Sequence, residues 1–367
     1  MAAKILRYFA GGNTARGFYH LFESSLQGLE RVYILKGGPG TGKSSLMKAI
    51  GTEWHERGYD IEFIHCSSDR DSIDGVIIPA ISVGLVDGTA PHVMEPKAPG
   101  AVEEYVNLGE AWDSKALITH REQISRINQK VADSYAAAYG KFAEALQIHD
   151  QWEQIYFQQM DFEKADQLKD RMLVQLFGEE RLLKRADVRH RFLGAATPTG
   201  AVDFVPNLTE GLSRRYFIKG RAGTGKSTLL KRIASEAESR GYDVEIYHCG
   251  FDPHSLDMVI VRELDFAIFD STSPHEYFPE RGGDEIIDMY ELVVAPGTDE
   301  QFAEQLAEVS SQYKVKMKEA IACLAEAKRH RDELEKIYVA AMDFSIVDHL
   351  TGKLRAELTE WSAVRSV

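Results

Sequence analysis

Two nine-residue runs in this chain hold the residue types that bind phosphate. One is Gly37-Gly38-Pro39-Gly40-Thr41-Gly42-Lys43-Ser44-Ser45 and the other is Gly220-Arg221-Ala222-Gly223-Thr224-Gly225-Lys226-Ser227-Thr228. Both fit G-x-x-x-x-G-K-[ST], in which glycines let backbone N–H groups turn inward around phosphate oxygens. The helix expected to follow adds the positive end of its dipole. In that pattern Lys43 and Lys226 reach the terminal phosphates, and the Ser44 and Ser227 hydroxyls ligate Mg²⁺. ATP with Mg²⁺ is therefore the expected ligand, and both runs keep the Lys and the Ser.

Asp87 and Asp270 each end an apolar run, ISVGLVD and LDFAIFD, about 45 residues past their loop. A carboxylate at such a strand end suits a further Mg²⁺ ligand. Asp69 and Asp252 follow the second expected strand and suit a proton acceptor from water or from an acceptor hydroxyl. A plainer reading makes them caps of a short helix beginning there. His92 and His275, just beyond the metal carboxylates, are placed to contact a terminal phosphate. Their plainer reading is as braces of a turn. Glu104, Glu110, Glu285 and Glu291 are weaker base candidates, and Arg7, Arg70 and Arg281 are weaker charge-stabilising ones, because none of these arginines is cleanly repeated. Cys66 and Cys249 read as small buried residues, not redox centres.

These residues recur because the chain repeats itself. At an offset of 183, residues 37–96 align with 220–279 without a gap, and about 27 of the 60 positions are identical. RGYDIEFIHC (57–66) faces RGYDVEIYHC (240–249), and IYFQQMDF (155–162) faces IYVAAMDF (337–344) at an offset of 182. The sequence thus reads as a tandem duplication joined near residues 185–190. It gives copy 1 over 1–187 (core about 1–101, helical segment about 102–187) and copy 2 over 188–367 (core about 188–283, helical segment about 284–367).

Within each copy an apolar run feeds the loop, as in VYILKG, and Leu46, Ile50 and Trp54 then fall at helical spacing up to Gly58. Alternating strands and helices predict an α/β fold of two tandem P-loop NTPase cores, each a parallel sheet with flanking helices. Beyond residue 102 Gly and Pro nearly vanish, and Ile124, Ile127, Val131, Tyr135, Phe142 and Leu146 recur at mostly three, four or seven. That spacing predicts a long helical hairpin after each core, with Tyr156, Met160, Asp161 and Phe162 in its packing seam. The hairpins are the expected lids or the surface for a protein partner.

The whole chain has 367 residues, 44% of them hydrophobic and 27% charged, enough for two globular cores. A net charge of -14 argues against a broad nucleic-acid surface. No apolar run is long enough for a signal peptide or a membrane span, so the expected address is the cytoplasm. The two copies are expected to pack as an internal pseudo-dimer, and a homo-oligomer is compatible with that.

The tandem loops, each with H-C-x-x-D and D-x-T-x-P-H downstream, resemble a bacterial family of tandem-duplicated P-loop proteins described as ATPases or nucleotide kinases. The resemblance covers essentially the whole chain and implies the fold and ATP as ligand, without a reaction. Three activities stay open on the residues. They are slow ATP hydrolysis driving a motion of the helices, phosphoryl transfer to a small acceptor held by Asp69 and Asp252, and ATP binding as a switch without turnover. The lack of a Glu after Asp87 and Asp270 argues against a fast motor.

Overall fold

The computed structural model describes residues 3–365, so the first two residues of the expected first copy and the last two of the second lie outside the described residues. Among the described residues, sixteen strands build an α/β architecture around one large mixed sheet. In the first half they are β1 (Ile5–Phe9), β2 (Gly11–Thr14), β3 (Gly17–His20), β4 (Arg31–Lys36), β5 (Ile61–His65), β6 (Ile73–Ile78), β7 (Val83–Asp87) and β8 (Glu103–Asn107). In the second half they are β9 (Val188–Phe192), β10 (Gly194–Thr197), β11 (Gly200–Asp203), β12 (Arg214–Lys219), β13 (Val244–His248), β14 (Leu256–Val261), β15 (Phe266–Asp270) and β16 (Asp284–Asp288).

Twelve of these strands form the sheet, in the order β16-β12-β15-β14-β13-β9-β1-β5-β6-β7-β4-β8. Read inward from either edge the order is the same, and the halves meet where Phe9 pairs antiparallel with Phe192. The expected all-parallel sheet needs correcting. β6 runs antiparallel to β5 and β7, and β14 runs antiparallel to β13 and β15. Both strands are buried along their whole length, and each returns through a short 3-10 turn into the next. A short return of that kind permits an antiparallel neighbour where a parallel one would need a long crossover. β8 and β16 extend the sheet beyond residues 101 and 283, into segments read from sequence as helical.

The loop helices, Lys43–Glu56 and Lys226–Ser239, begin where the sequence places them. Leu46, Met47, Ile50 and Trp54 of the first are buried against Phe63, Val76 and Leu85 of the sheet. On the other sheet face, Tyr8, Phe22 and Ile64 share one core with Phe217, Tyr247 and Met258 of the second half. At the centre, buried Arg191 holds Glu62 at 2.8 Å and lies over the Tyr8 ring.

The expected hairpins do not form. The long helices, Arg121–Phe157 and Ala303–Ala340, pair with each other instead. Lys141 meets Glu319 at 3.2 Å, Lys316 meets Glu144 at 2.7 Å, and His149 packs on Tyr313, so the pair is antiparallel. Buried Ala138, Phe142, Ala320 and Leu324 form its seam. Each long helix thereby carries its chain into the opposite half. Met160 bridges to Val294 and Met342 bridges to Trp112. Asp161 N–H donates to Val293 O at 2.7 Å, and Asp343 N–H donates to Ala111 O at 2.8 Å. The repeated Tyr-to-Phe segment is therefore the docking point of each crossing, not the seam of a hairpin.

The terminal helices are exchanged as a result. Leu168, Met172, Leu176 and Phe177 of helix Phe162–Phe177 fill the second-half core beside Leu230 and Ile233. Val347, Leu354 and Leu358 of helix Phe344–Arg365 fill the first-half core beside Ile50 and Trp54. The apolar stripes required burial, and each finds it in the other half. No helix among the described residues is long and apolar enough to cross a membrane.

Candidate functional site

Each glycine-rich run leaves the strand next to a sheet edge, β4 or β12, and enters a helix through a left-handed glycine, Gly42 at φ 84° or Gly225 at φ 85°. Thr41 Oγ1 donates to Gly38 O at 2.9 Å, and Thr224 Oγ1 donates to Arg221 O at the same distance. Lys43 Nζ donates to the Gly37 and Gly38 carbonyls at 2.8 and 2.9 Å. Lys226 Nζ donates to Arg221 O at 2.8 Å. Both amino groups stand 3.6 Å from a strand-end carboxylate, Lys43 from Asp87 and Lys226 from Asp270. The structure thus joins these residues as the sequence anticipated. Burial lowers the Lys43 pKa, partly offset by Asp87.

The neighbouring hydroxyls take part in both halves. Ser44 Oγ accepts from Ile73 N–H and Ser227 Oγ from Leu256 N–H, each at 3.0 Å, which ties the loop helix to the antiparallel strand. Asp87 Oδ1 accepts from Thr89 N–H and Oγ1, and Asp270 Oδ1 accepts from the same two groups of Thr272.

Asp74, from β6, completes the first site, although its role was not read from sequence. Asp74, Asp87 and His92 can each offer a ligand atom within 4.8 Å of the others. The two carboxylates suit Mg²⁺, and the Ser44 hydroxyl is held by the N–H of Ile73, the residue before Asp74. His92 is buried, and neither of its ring nitrogens has a hydrogen-bond partner, which leaves a nitrogen donor for the cluster. Burial raises the Asp74 pKa and pushes the Cys66 thiol well up, so Cys66 is an inert packing residue.

The second site differs. Its histidine, His275, is held at 2.9 Å by Asp203, which also accepts from the Tyr277 hydroxyl. Burial opposes the His275 charge, but the Asp203 hydrogen bond and nearby carboxylates outweigh it and raise the pKa. Asp257, the counterpart of Asp74, is pushed up to about 6 by burial and then by Asp270. A carboxyl raised this way favours the fold while protonated, and that contribution is lost as pH rises through about 6. The ionised form costs about 3 kcal/mol at neutral pH. Asp257→Asn is expected to raise the thermal midpoint above wild type at pH 8, with the gain vanishing near pH 4. A pH-independent difference would remove burial of the charge as its cause.

Other sequence candidates lie elsewhere. Asp69 accepts from Asp71 N–H at 3.2 Å and from Ser72 Oγ at 3.1 Å, and Asp252 accepts from His254 N–H and from Arg16. Both therefore brace turns leading into β6 and β14, and no helix begins there. Arg7 bonds His65, Arg70 is exposed, and the Arg281 guanidinium donates to Leu212 O. Glu104, on the edge strand, pairs with Arg31 at the end of β4 remote from the loop. Glu285 takes a bond from Gln175 on the other edge.

The arginine that reaches the first site is Arg331, from the long helix of the second half. It lines a small cavity with Cys66, Asp74, Asp87, Thr89 and His92. Burial opposes its charge, but the Tyr135 hydroxyl, 3.5 Å away, together with Cys66 and Asp74 holds its pKa above the ordinary value. Arg331 was missed because the aligned residue is His149, so a search for repeated arginines passes over it.

The long helices also cover the loops. Gly40, at φ 72°, lies against Glu335 and Val339, and Gly223, at φ 76°, lies against the Glu153 backbone. A Cβ on Gly223 would stand 2.3 Å from Glu153 O. Gly223→Ala is expected to lift the helix from the loop and cost about 1–3 kcal/mol, measured by denaturant unfolding. An unchanged midpoint would show that the contact is dispensable. Comparison of this chain with protein-family models, curated proteins and solved structures finds no match.

Proposed function

We propose that this chain is a duplicated P-loop protein that binds ATP with Mg²⁺ at two sites and hydrolyses it slowly, moving its long helices as it does so. The observation that carries this reading is the pair of Lys–Asp contacts at 3.6 Å, each built from a loop lysine and a strand-end carboxylate. The loop N–H groups and the helix N-terminus donate hydrogen bonds to phosphate oxygens. Lys43 and Lys226 leave the loop carbonyls for the terminal phosphates. Ser44 with Asp87, and Ser227 with Asp270, hold the Mg²⁺. When bound, the ion offsets charge on the β- and γ-phosphates.

Each long helix touches both sites. Helix Ala303–Ala340 brings Arg331 to the first, while Tyr313 lies near Cys249 and Asp257 of the second. Helix Arg121–Phe157 sends the Tyr139 hydroxyl to Asn13 beside the first site and His149 to the surroundings of Lys226. A shift that opens one loop is therefore transmitted to the other, which favours a switch powered by turnover.

Phosphate release from ATP with Mg²⁺ by the purified chain tests the reading. Free phosphate from ATP alone supports hydrolysis. ADP formed only with a nucleoside monophosphate would make the protein a kinase. Tight binding with no turnover would leave a switch that presents its helices to a protein partner.

A further inference from the structure

The two sites carry different equipment on the same frame. Arg331 brings a permanent, delocalised charge into the first, and that charge is felt at Lys43. The matching position of the other long helix is His149, at the offset of 182. His149 packs against Phe251 and Tyr313 beside Glu153, burial lowers its pKa, and an imidazole carries no permanent charge. Other cations near the second site are engaged. Arg221 is bound to Asp299 at 2.8 Å and lies over the Tyr290 ring, and Arg16 is bound to Asp252 on an exposed turn.

The histidines differ in the same direction. Asp203 occupies His275, whereas the residue aligned with Asp203 is His20, which is exposed, and His92 has no hydrogen-bond partner. Charge spreading over the transferred phosphoryl group is the main demand of phosphoryl transfer, and an arginine supplied from another unit commonly meets it.

Resting on the ATPase reading, we propose that the sites are unequal. The Lys43 site hydrolyses ATP with Arg331, donated by the exchanged half, as a catalytic residue, and the Lys226 site holds ATP without hydrolysing it on that timescale. In the step, a water oxygen bonds to the γ-phosphorus while the bond from that phosphorus to the β–γ bridging oxygen breaks. The electron pair leaves on ADP, and the proton lost by water departs with inorganic phosphate.

A quench experiment on the whole chain, loaded with ATP and Mg²⁺ and freed of excess nucleotide, reads this directly. Two ATP are expected per chain, with one converted to ADP and the other persisting. Arg331→Ala is expected to retain both ATP and slow the conversion by roughly a hundredfold or more, while Arg331→Lys recovers part of the rate. His149→Arg is expected to start conversion of the second ATP. Equal conversion of both nucleotides, or a wild-type rate in Arg331→Ala, overturns the inequality and leaves the ATPase reading standing. Wild-type protein that binds ATP and converts none overturns both.

Discussion

Replacing Lys43 and Lys226 together by alanine is expected to remove wild-type ATP affinity from both sites, while either replacement alone leaves one site per chain at full strength. Each amino group is the cation nearest its strand-end carboxylate and lies inside its own loop. A hydrogen bond to a charged group contributes about 1.5–3 kcal/mol. Each site should therefore weaken about ten- to a hundredfold or more, since 1.4 kcal/mol is a factor of ten. Equilibrium binding of a fluorescent ATP analogue to the double variant measures this. Wild-type affinity there would end the phosphate-loop assignment, and with it the role given to Asp87 and Asp270.

Deleting residues 344–365 is expected to open the first half of the molecule, although those residues lie at the other end of the chain. Val347, Leu354 and Leu358 are buried with Leu46, Ile50 and Trp54. Burying a side chain of this size contributes about 1.5–3 kcal/mol, so the three give roughly 5–9 kcal/mol. That rivals the whole margin of about 5–15 kcal/mol by which a domain is stable. Hydrogen exchange locates the effect. Protection should fall in Lys43–Glu56 and persist in Lys226–Ser239, and the reverse pattern would refute the exchange of terminal helices. Leu358→Ala is the milder version, at about 2–5 kcal/mol.

The loops, the strands that feed them and the helices that leave them were legible because glycine spacing and short apolar runs are local signals. Lys43 with Asp87, and Lys226 with Asp270, were found in that way and lie together as two separate pairs. The antiparallel β6 was not found, because IDGVII is buried on both faces and shows no alternation to mark it as a strand. The partner of each long helix was illegible for a different reason. A stripe such as Ile127, Phe142 and Leu146 says that a face is buried but not by what, and the nearest helix in sequence was the wrong guess. Arg331 was hidden by the symmetry that exposed everything else, since residues were weighted by recurrence and this one faces a histidine.

The exchange of terminal helices also sets an order of events during synthesis. Strands β1 and β4 to β8 are finished early, yet the surface of Ile50 and Trp54 stays uncovered until residues 344–365 have been made. At about 5–20 residues per second that interval lasts roughly 13–52 s. The completed helix Phe162–Phe177 waits a shorter time, until the second-half core has been made as far as Val294. A nascent first half thus carries an open groove and a helix whose apolar face is not yet buried. On crowded ribosomes two such chains can meet through these open apolar faces before either has made its own second half.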